Sequence, residues 1–231
     1  MRRTTCLWAA MTAAAMAIGG CSPPPAEQRV ERGIGVGTGG AAAHARSDGE
    51  FVPDVATMTM AAIDLSRMAL EKATNADVRS FAETVMHDDT AAMNSLKSIV
   101  SGHSSIRWPE ELGDKHRKTA EELARKQGAE FDGGYLDAII ERHVDLAARL
   151  ESRLDPQSLS DWKTEAAART RNQALPEPEV LMGDVPLRPN ASDNELTMQV
   201  NQWAAATYPV TQKHLDTARR LDNATKKRST D

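Results

Sequence analysis

The sequence predicts an all-α protein, an antiparallel bundle of long helices, and three observations predict it. From Phe51 onward apolar residues recur at alternating spacings of three and four, the helical period, over several long segments. β-branched residues do not alternate with polar ones, and only 4 % of the chain is aromatic, so no strand signal competes. The connection between the first two periodic segments is short, which makes them neighbours of opposite direction. About 175 residues take part, enough for one core.

Ahead of the periodic region lies a leader. Met1-Arg2-Arg3 is basic, Cys6 to Ile18 is apolar, and Ile18-Gly19-Gly20-Cys21 follows. This is the layout of an export signal. The apolar run falls short of the ~20 residues a bilayer span needs, and no later stretch comes closer. An ordinary secretory signal ends in an Ala-x-Ala-like pair. A branched residue, two small residues and a cysteine instead resemble the lipobox of bacterial lipoproteins. That resemblance implies diacylglycerol on the Cys21 sulfur, cleavage before Cys21 and acylation of the new amino group. The other reading is a plain signal peptide with an incidental cysteine. Ser22 stands where an aspartate would direct inner-membrane retention, so the expected place is the outer membrane, facing the periplasm. The expected organisation is a signal over 1–20, a lipidated tether over 21–50, a helical domain over 51–226 with an insertion at 155–194, and a tail over 227–231.

The chain has two cysteines, Cys6 and Cys21. Cleavage removes the first, so the mature protein has no disulfide and depends on packing. Losing Arg2 and Arg3 takes the net charge from −5 to −7. An acidic chain without a basic face does not suit nucleic acid, nor adhesion to anionic lipid through a polybasic patch. The membrane contact would be the acyl chains. Residues 22–50, with Pro23-Pro24-Pro25 and five glycines between Gly33 and Gly40, carry too few large apolar groups to order themselves.

The helices follow in order. The first spans about Pro53 to Thr74, with Val55, Met58, Ala62, Leu65 and Ala69 as its stripe. Asn75 suits an N-cap for the second, about Ala76 to Ser101, whose stripe is Val78, Ala82, Val85, Ala92, Leu96 and Ile99. A loop with Trp108 precedes a more polar third helix, about Glu110 to Gln127. The fourth runs from about Asp132 to Leu154 along Leu136, Ile139, His143, Leu146 and Leu150. A further helix over Ser158 to Ala174 carries Trp162. Leu175 to Asn194, rich in Pro and polar residues, reads as a long loop. The last helix spans about Glu195 to Lys226, and Pro209 is expected to kink or divide it.

Polar residues interrupt these stripes at three places. Asp89 lies between Val85 and Ala92, His143 between Ile139 and Leu146, and His214 four before Ala218. Asp88 adjoins Asp89, and Asp64 flanks the first stripe. A carboxylate facing a core must be paired, protonated or bound to metal. Inward Asp and His on facing helices are how bundles build metal sites for iron, zinc or manganese. The simpler alternative is a hydrogen bond between Asp89 and either histidine. Glu83 and His87, four apart, read as a solvated pair. Met58, Met60, Met68, Met86 and Met93 fit core filling, with copper binding through thioethers as the alternative. Phosphate-binding glycine loops, a Gly-x-Ser-x-Gly elbow and a cysteine nucleophile are all missing from the sequence, so no complete catalytic site is legible.

Several blocks taken together resemble a family of exported bacterial proteins of unknown function, labelled outer-membrane proteins and grouped with ferritin-like four-helix bundles. They are Phe51-Val52, Leu65, Met68 to Ala73, Val78 and Phe81-Ala82, then Asp88 with Thr90, Phe131-Asp132, Tyr135-Leu136-Asp137 leading to His143, and Pro209 leading to His214-Leu215 and Ala218. The resemblance covers Phe51 to Leu221 apart from the insertion. It implies a ferritin-like antiparallel four-helix bundle with additional short helices. This chain departs from it in having Ala62 where a glutamate is common, and Asp88-Asp89 where an Asp-His pair is common. The set Asp88, Asp89, His143 and His214 is then short of a di-metal site with bridging glutamates. Two functions follow as expectations. One is a lipid-anchored, non-enzymatic module acting by interaction or as structure. The other is a metal-binding or redox protein.

Overall fold

A computed structural model describes residues 47–172 and 186–228. Cys21, the leader and most of the tether lie outside the described residues, as do 173–185 of the insertion. The described residues all belong to one compact unit, Ala41–Asp231.

Six helices follow one another: α1 Asp48–Lys72, α2 Ala76–Val100, α3 Asp114–Ala124, α4 Gly128–Glu151, α5 Pro156–Asn172 and α6 Glu195–Arg228. Among the described residues there is no strand, only an isolated bridge between Leu154 and Pro189. None of these helices is long and apolar enough to cross a membrane.

The four long helices pack in pairs, α1 on α2 and α4 on α6 most extensively, then α1 on α4 and α2 on α6. Cross-helix contacts give the directions. On α4 and α6, Asp137 meets Lys226, His143 meets His214, and Glu151 meets Tyr208. One number rises while the other falls, so the pair is antiparallel. Asp88 with His214 and Ala92 with Trp203 show the same for α2 and α6.

Periodicity locates the helices but misplaces several ends, because remote side chains set them. α1 starts at Asp48, ahead of Pro53. Ser47 donates its backbone N–H to Glu50 Oε2 (3.3 Å), and Asp48 is held by Arg153 Nη1 (2.6 Å) and Thr197 Oγ1 (2.6 Å). α4 likewise starts before the expected Asp132, at Gly128, whose φ of 55° suits glycine. Asp132 itself is buried and accepts from Thr74 N, Thr74 Oγ1 and Asn75 N at 3.0, 2.7 and 2.9 Å, fixing the α1–α2 turn. Asn75 caps α2 as expected, accepting from Asp77 N at 2.9 Å. α3 is shorter than expected: residues 110–113 and 125–127 are not helical. Pro209 does not divide α6, which runs unbroken through it. Packing against α2 and α4 on both sides of the proline holds the helix together where one backbone bond is lost.

The described end of the insertion is stitched back to the segment that follows α4. Asp155 N donates to Arg188 O and Asn190 N to Arg153 O, both at 2.9 Å. Trp162 of α5 packs edge-on against Tyr208 with centroids 5.4 Å apart. The apolar core falls into two clusters. One gathers Phe51, Val55, Leu96, Leu146, Leu150, Trp203 and Tyr208, and the other Ala62, Leu65, Val85, Phe131, Tyr135, Leu136 and Ala218. On α2 and α4 the change from one cluster to the other falls at Asp89 and His143, and on α6 it falls just past His214, between Leu215 and Ala218.

Candidate metal centre

Each of the three polar residues occupies a core position of its helix, so the period that buries its neighbours buries it too. Asp89 is 4 % exposed, His143 0 % and His214 1 %. One ligand atom from each lies within 4.8 Å of the others. His143 Nε2 is 3.1 Å from His214 Nδ1. Asp89 Oδ2 is 3.7 Å from His143 Nε2, and Asp89 Oδ1 is 3.8 Å from His214 Nδ1.

The far side of each ring fixes its tautomer. His143 Nδ1 lies 3.1 Å from the Ile139 carbonyl. A carbonyl only accepts, so Nδ1 carries the proton and Nε2 presents a lone pair. His214 Nε2 lies 3.2 Å from Asp88 Oδ2. That hydrogen bond is the main reason the Asp88 carboxyl is lowered to about 2, against opposing burial, with His87 assisting. An ionised carboxylate only accepts, so His214 Nε2 carries the proton and Nδ1 presents its lone pair to His143. Two neutral rings therefore aim lone pairs at each other across a hydrogen-bond distance. A proton or a metal ion would relieve the opposition of the two lone pairs.

Burial acts on the charges in the same direction. It pushes the Asp89 carboxyl up to about 7, and the nearby His214 only partly offsets this. It lowers the His143 imidazole to about 3, with His214 adding to the effect. Asp89 Oδ2 is buried without a hydrogen-bond partner. A neutral imidazole and an orphaned carboxylate oxygen are what a cation needs and what a core without one does not favour. A tetrahedral ion with ligands at about 2.0–2.2 Å sets its ligand atoms about 3.3–3.6 Å apart. The two nitrogens, 3.1 Å apart, fall a little inside that spacing, and the carboxylate, at 3.7 and 3.8 Å, a little outside it. The three side chains could hold one metal ion.

The surroundings are apolar and stiff. Phe81 meets the His214 ring edge-on with centroids 6.2 Å apart. Tyr135, its phenol raised by burial, lies 2.9 Å from Ser66 Oγ. α1 brings no carboxylate to this level. Ala62 is buried in the apolar cluster, Asp64 pairs with Arg67 on the surface at 3.4 Å, and Asp54 pairs with Arg149 at 2.8 Å.

Of the four residues the sequence proposes, Asp89, His143 and His214 converge. Asp88 stands behind His214 as its hydrogen-bond acceptor. Glu83 and His87 are not paired as expected: the His87 ring bonds Asp88 Oδ1 at 3.0 Å. The five methionines are all half-buried, and Met58 and Met68 pack against the two apolar clusters. Sequence reasoning missed the groove beside the centre, about 400 Å³ between α2 and α6, which Asp88, Asp89, Trp203, Thr207, Val210 and Lys213 help to line. Its only sequence signal is the run of small residues Ala91, Ala92 and Ala204 to Ala206 on the two helices.

Comparison with curated proteins and with solved structures gives no match. A family model matches residues 36–177, a span that holds Asp88, Asp89 and His143 and ends before α6 and His214. The match takes in more than half of the chain, which therefore belongs to the family described as domain of unknown function DUF4142.

Proposed function

We propose that this chain is a lipid-anchored protein of the bacterial cell envelope whose ferritin-like four-helix bundle binds one divalent transition-metal ion through Asp89, His143 and His214. The observation that carries the metal reading is the pair of ring nitrogens 3.1 Å apart, each with its other nitrogen already committed to an acceptor. Two imidazoles and one carboxylate suit zinc, iron or manganese. With Ala62 on α1 there is no bridging glutamate, so the centre is mononuclear. Asp88 orients the His214 ring, as a carboxylate behind a ligating histidine does.

The test is metal analysis of protein purified without a histidine tag. One equivalent of ion in the wild type, and none in His143→Ala and His214→Ala, is the expected result. A metal-free protein whose melting temperature does not move with zinc, iron or manganese would remove this reading.

A second reading rests on the same distance, because 3.1 Å is also a hydrogen-bond length. With a shared proton in place of the ion, the three residues are a structural polar layer. The domain then acts by interaction, without chemistry of its own.

The anchor rests on Ile18-Gly19-Gly20-Cys21. Two or more acyl chains give stable attachment, and the charge pattern offers no alternative means. Ser22 favours the outer membrane, facing the periplasm. Cys21→Ser is expected to leave the leader uncleaved and the protein without acyl chains. Unchanged detergent-phase partitioning and an unchanged mass in that variant would overturn the assignment.

A further inference from the structure

The α2–α6 groove ends at the proposed metal centre, and its lining is sorted by chemistry. Asp88, Asp89 and Lys213 stand at one end, while Ala92, Ala206 and Val210 line the course toward Trp203 at the other. The Trp203 indole is locked there by donating to Ala92 O at 2.9 Å. Asp88 to Ser95 is two turns of α2, about 10 Å. The volume, about 400 Å³, is in the range of small-ligand sites. Asp89 belongs both to the groove lining and to the centre, so the groove reaches one of the centre's three side chains.

Charge selects the ligand. Asp89 and Asp88 together balance a divalent ion, and both histidines are then neutral. Lys213 makes no hydrogen bond or ion pair among the described residues, so one positive charge is left over at that end. From this juxtaposition we infer that the groove seats a short-chain carboxylate, its head on an open metal position beside Lys213 and its tail along Ala92, Ala206 and Val210 toward Trp203. Without the ion there is no metal position for the head group to occupy, so binding requires the loaded form. The inference rests on the metal reading above.

The experiment uses the full chain in detergent, loaded with Co(II), whose visible spectrum reports its ligands. One equivalent of cobalt is expected to bind first. Hexanoate should then shift the spectrum saturably, at least tenfold more tightly than acetate, because only hexanoate reaches the apolar course. Lys213→Met should weaken hexanoate several-fold. Ala206→Trp should abolish its effect while leaving the cobalt spectrum intact, and Val210→Trp repeats that test should the first variant not fold. Cobalt bound with no response to either acid overturns the groove assignment and leaves the metal reading standing. A response to both acids of equal strength, or one that survives both tryptophan variants, also overturns it. Failure to bind cobalt overturns both.

Discussion

His143 Nε2 and His214 Nδ1 face each other across 3.1 Å while Ile139 O and Asp88 Oδ2 hold the opposite nitrogen of each ring. In the metal-free protein this arrangement needs an extra proton or tolerates two opposed lone pairs. His143→Gln places an amide N–H where Nε2 was and removes the conflict. We predict that this variant, free of metal, is within about 1 kcal/mol of the wild type in urea denaturation at pH 7. His143→Ala, which leaves a cavity, should lose about 2–4 kcal/mol. Both should lose the rise in melting temperature expected of the wild type on adding zinc. Equal losses in the two variants would mean that the ring only fills space.

Asp132 is predicted to matter for folding and not for metal. Its buried carboxylate takes three hydrogen bonds from Thr74 and Asn75, two of them from backbone amides that have no other described acceptor at the α1–α2 turn. Asp132→Ala should cost about 3 kcal/mol, since hydrogen bonds to a charged group contribute about 1.5–3 each and losses within one network do not add. Metal stoichiometry should stay unchanged. The same loss of stability accompanied by loss of metal would show that the turn and the centre are coupled.

Arg153 ties three elements together. Its Nη1 reaches Asp48 Oδ1 at 2.6 Å and Asn201 Oδ1 at 3.3 Å, and its guanidinium lies 4.2 Å from the centre of the Phe51 ring. Removing the cation leaves Asp48 with only the Thr197 hydroxyl among its described partners. Arg153→Ala should therefore cost about 3–5 kcal/mol, the usual penalty for breaking a buried pair. Hydrogen exchange should show amide protection falling first in residues 51–55 at the start of α1. Uniform loss of protection along α1 would count against this local role.

The centre was legible in the sequence for a reason that the helix ends were not. Asp89, His143 and His214 sit on apolar stripes, and a stripe declares burial through spacing alone. Their convergence required only that α2, α4 and α6 meet at one level. The start of α1 depends on Arg153 and Thr197, and the α1–α2 turn depends on Asp132, all distant in sequence. Spacing carries no information about such partners. At Pro209 the local rule allows a kink or a division, and tertiary packing leaves the helix undivided. The groove was invisible because it arises from what small residues on two helices leave unfilled. What Asp88 does was only half legible: adjacency to Asp89 marks it as part of the centre, but it faces the outer side of His214 rather than the space between the two histidines.

The pH dependence of the metal-free protein tests the burial of the centre most directly. Burial raises Asp89 to about 7, from about 4 in an unfolded chain. Between those values the native state keeps a proton that the unfolded state has released, so stability falls as pH rises from about 4 to about 7. His143 does the reverse. Burial lowers it to about 3, from about 6.5 unfolded, so below pH 6.5 the unfolded state takes up a proton that the native state refuses. Stability from that group is complete above about 6.5 and declines as pH falls toward 3. From about pH 4 to 6.5 the two slopes oppose each other, and the wild type should show little dependence from this pair. Each variant exposes the other half. Relative to wild type, chelator-treated Asp89→Asn should gain stability as pH rises across this window, and His143→Gln should lose it. Urea denaturation at half-unit steps measures both difference curves. The ion competes with the Asp89 proton, so metal affinity in the wild type should rise up to tenfold per pH unit to about pH 7 and level above it. Flat difference curves for both variants would mean that water reaches the centre and that neither group is held in the state its burial dictates.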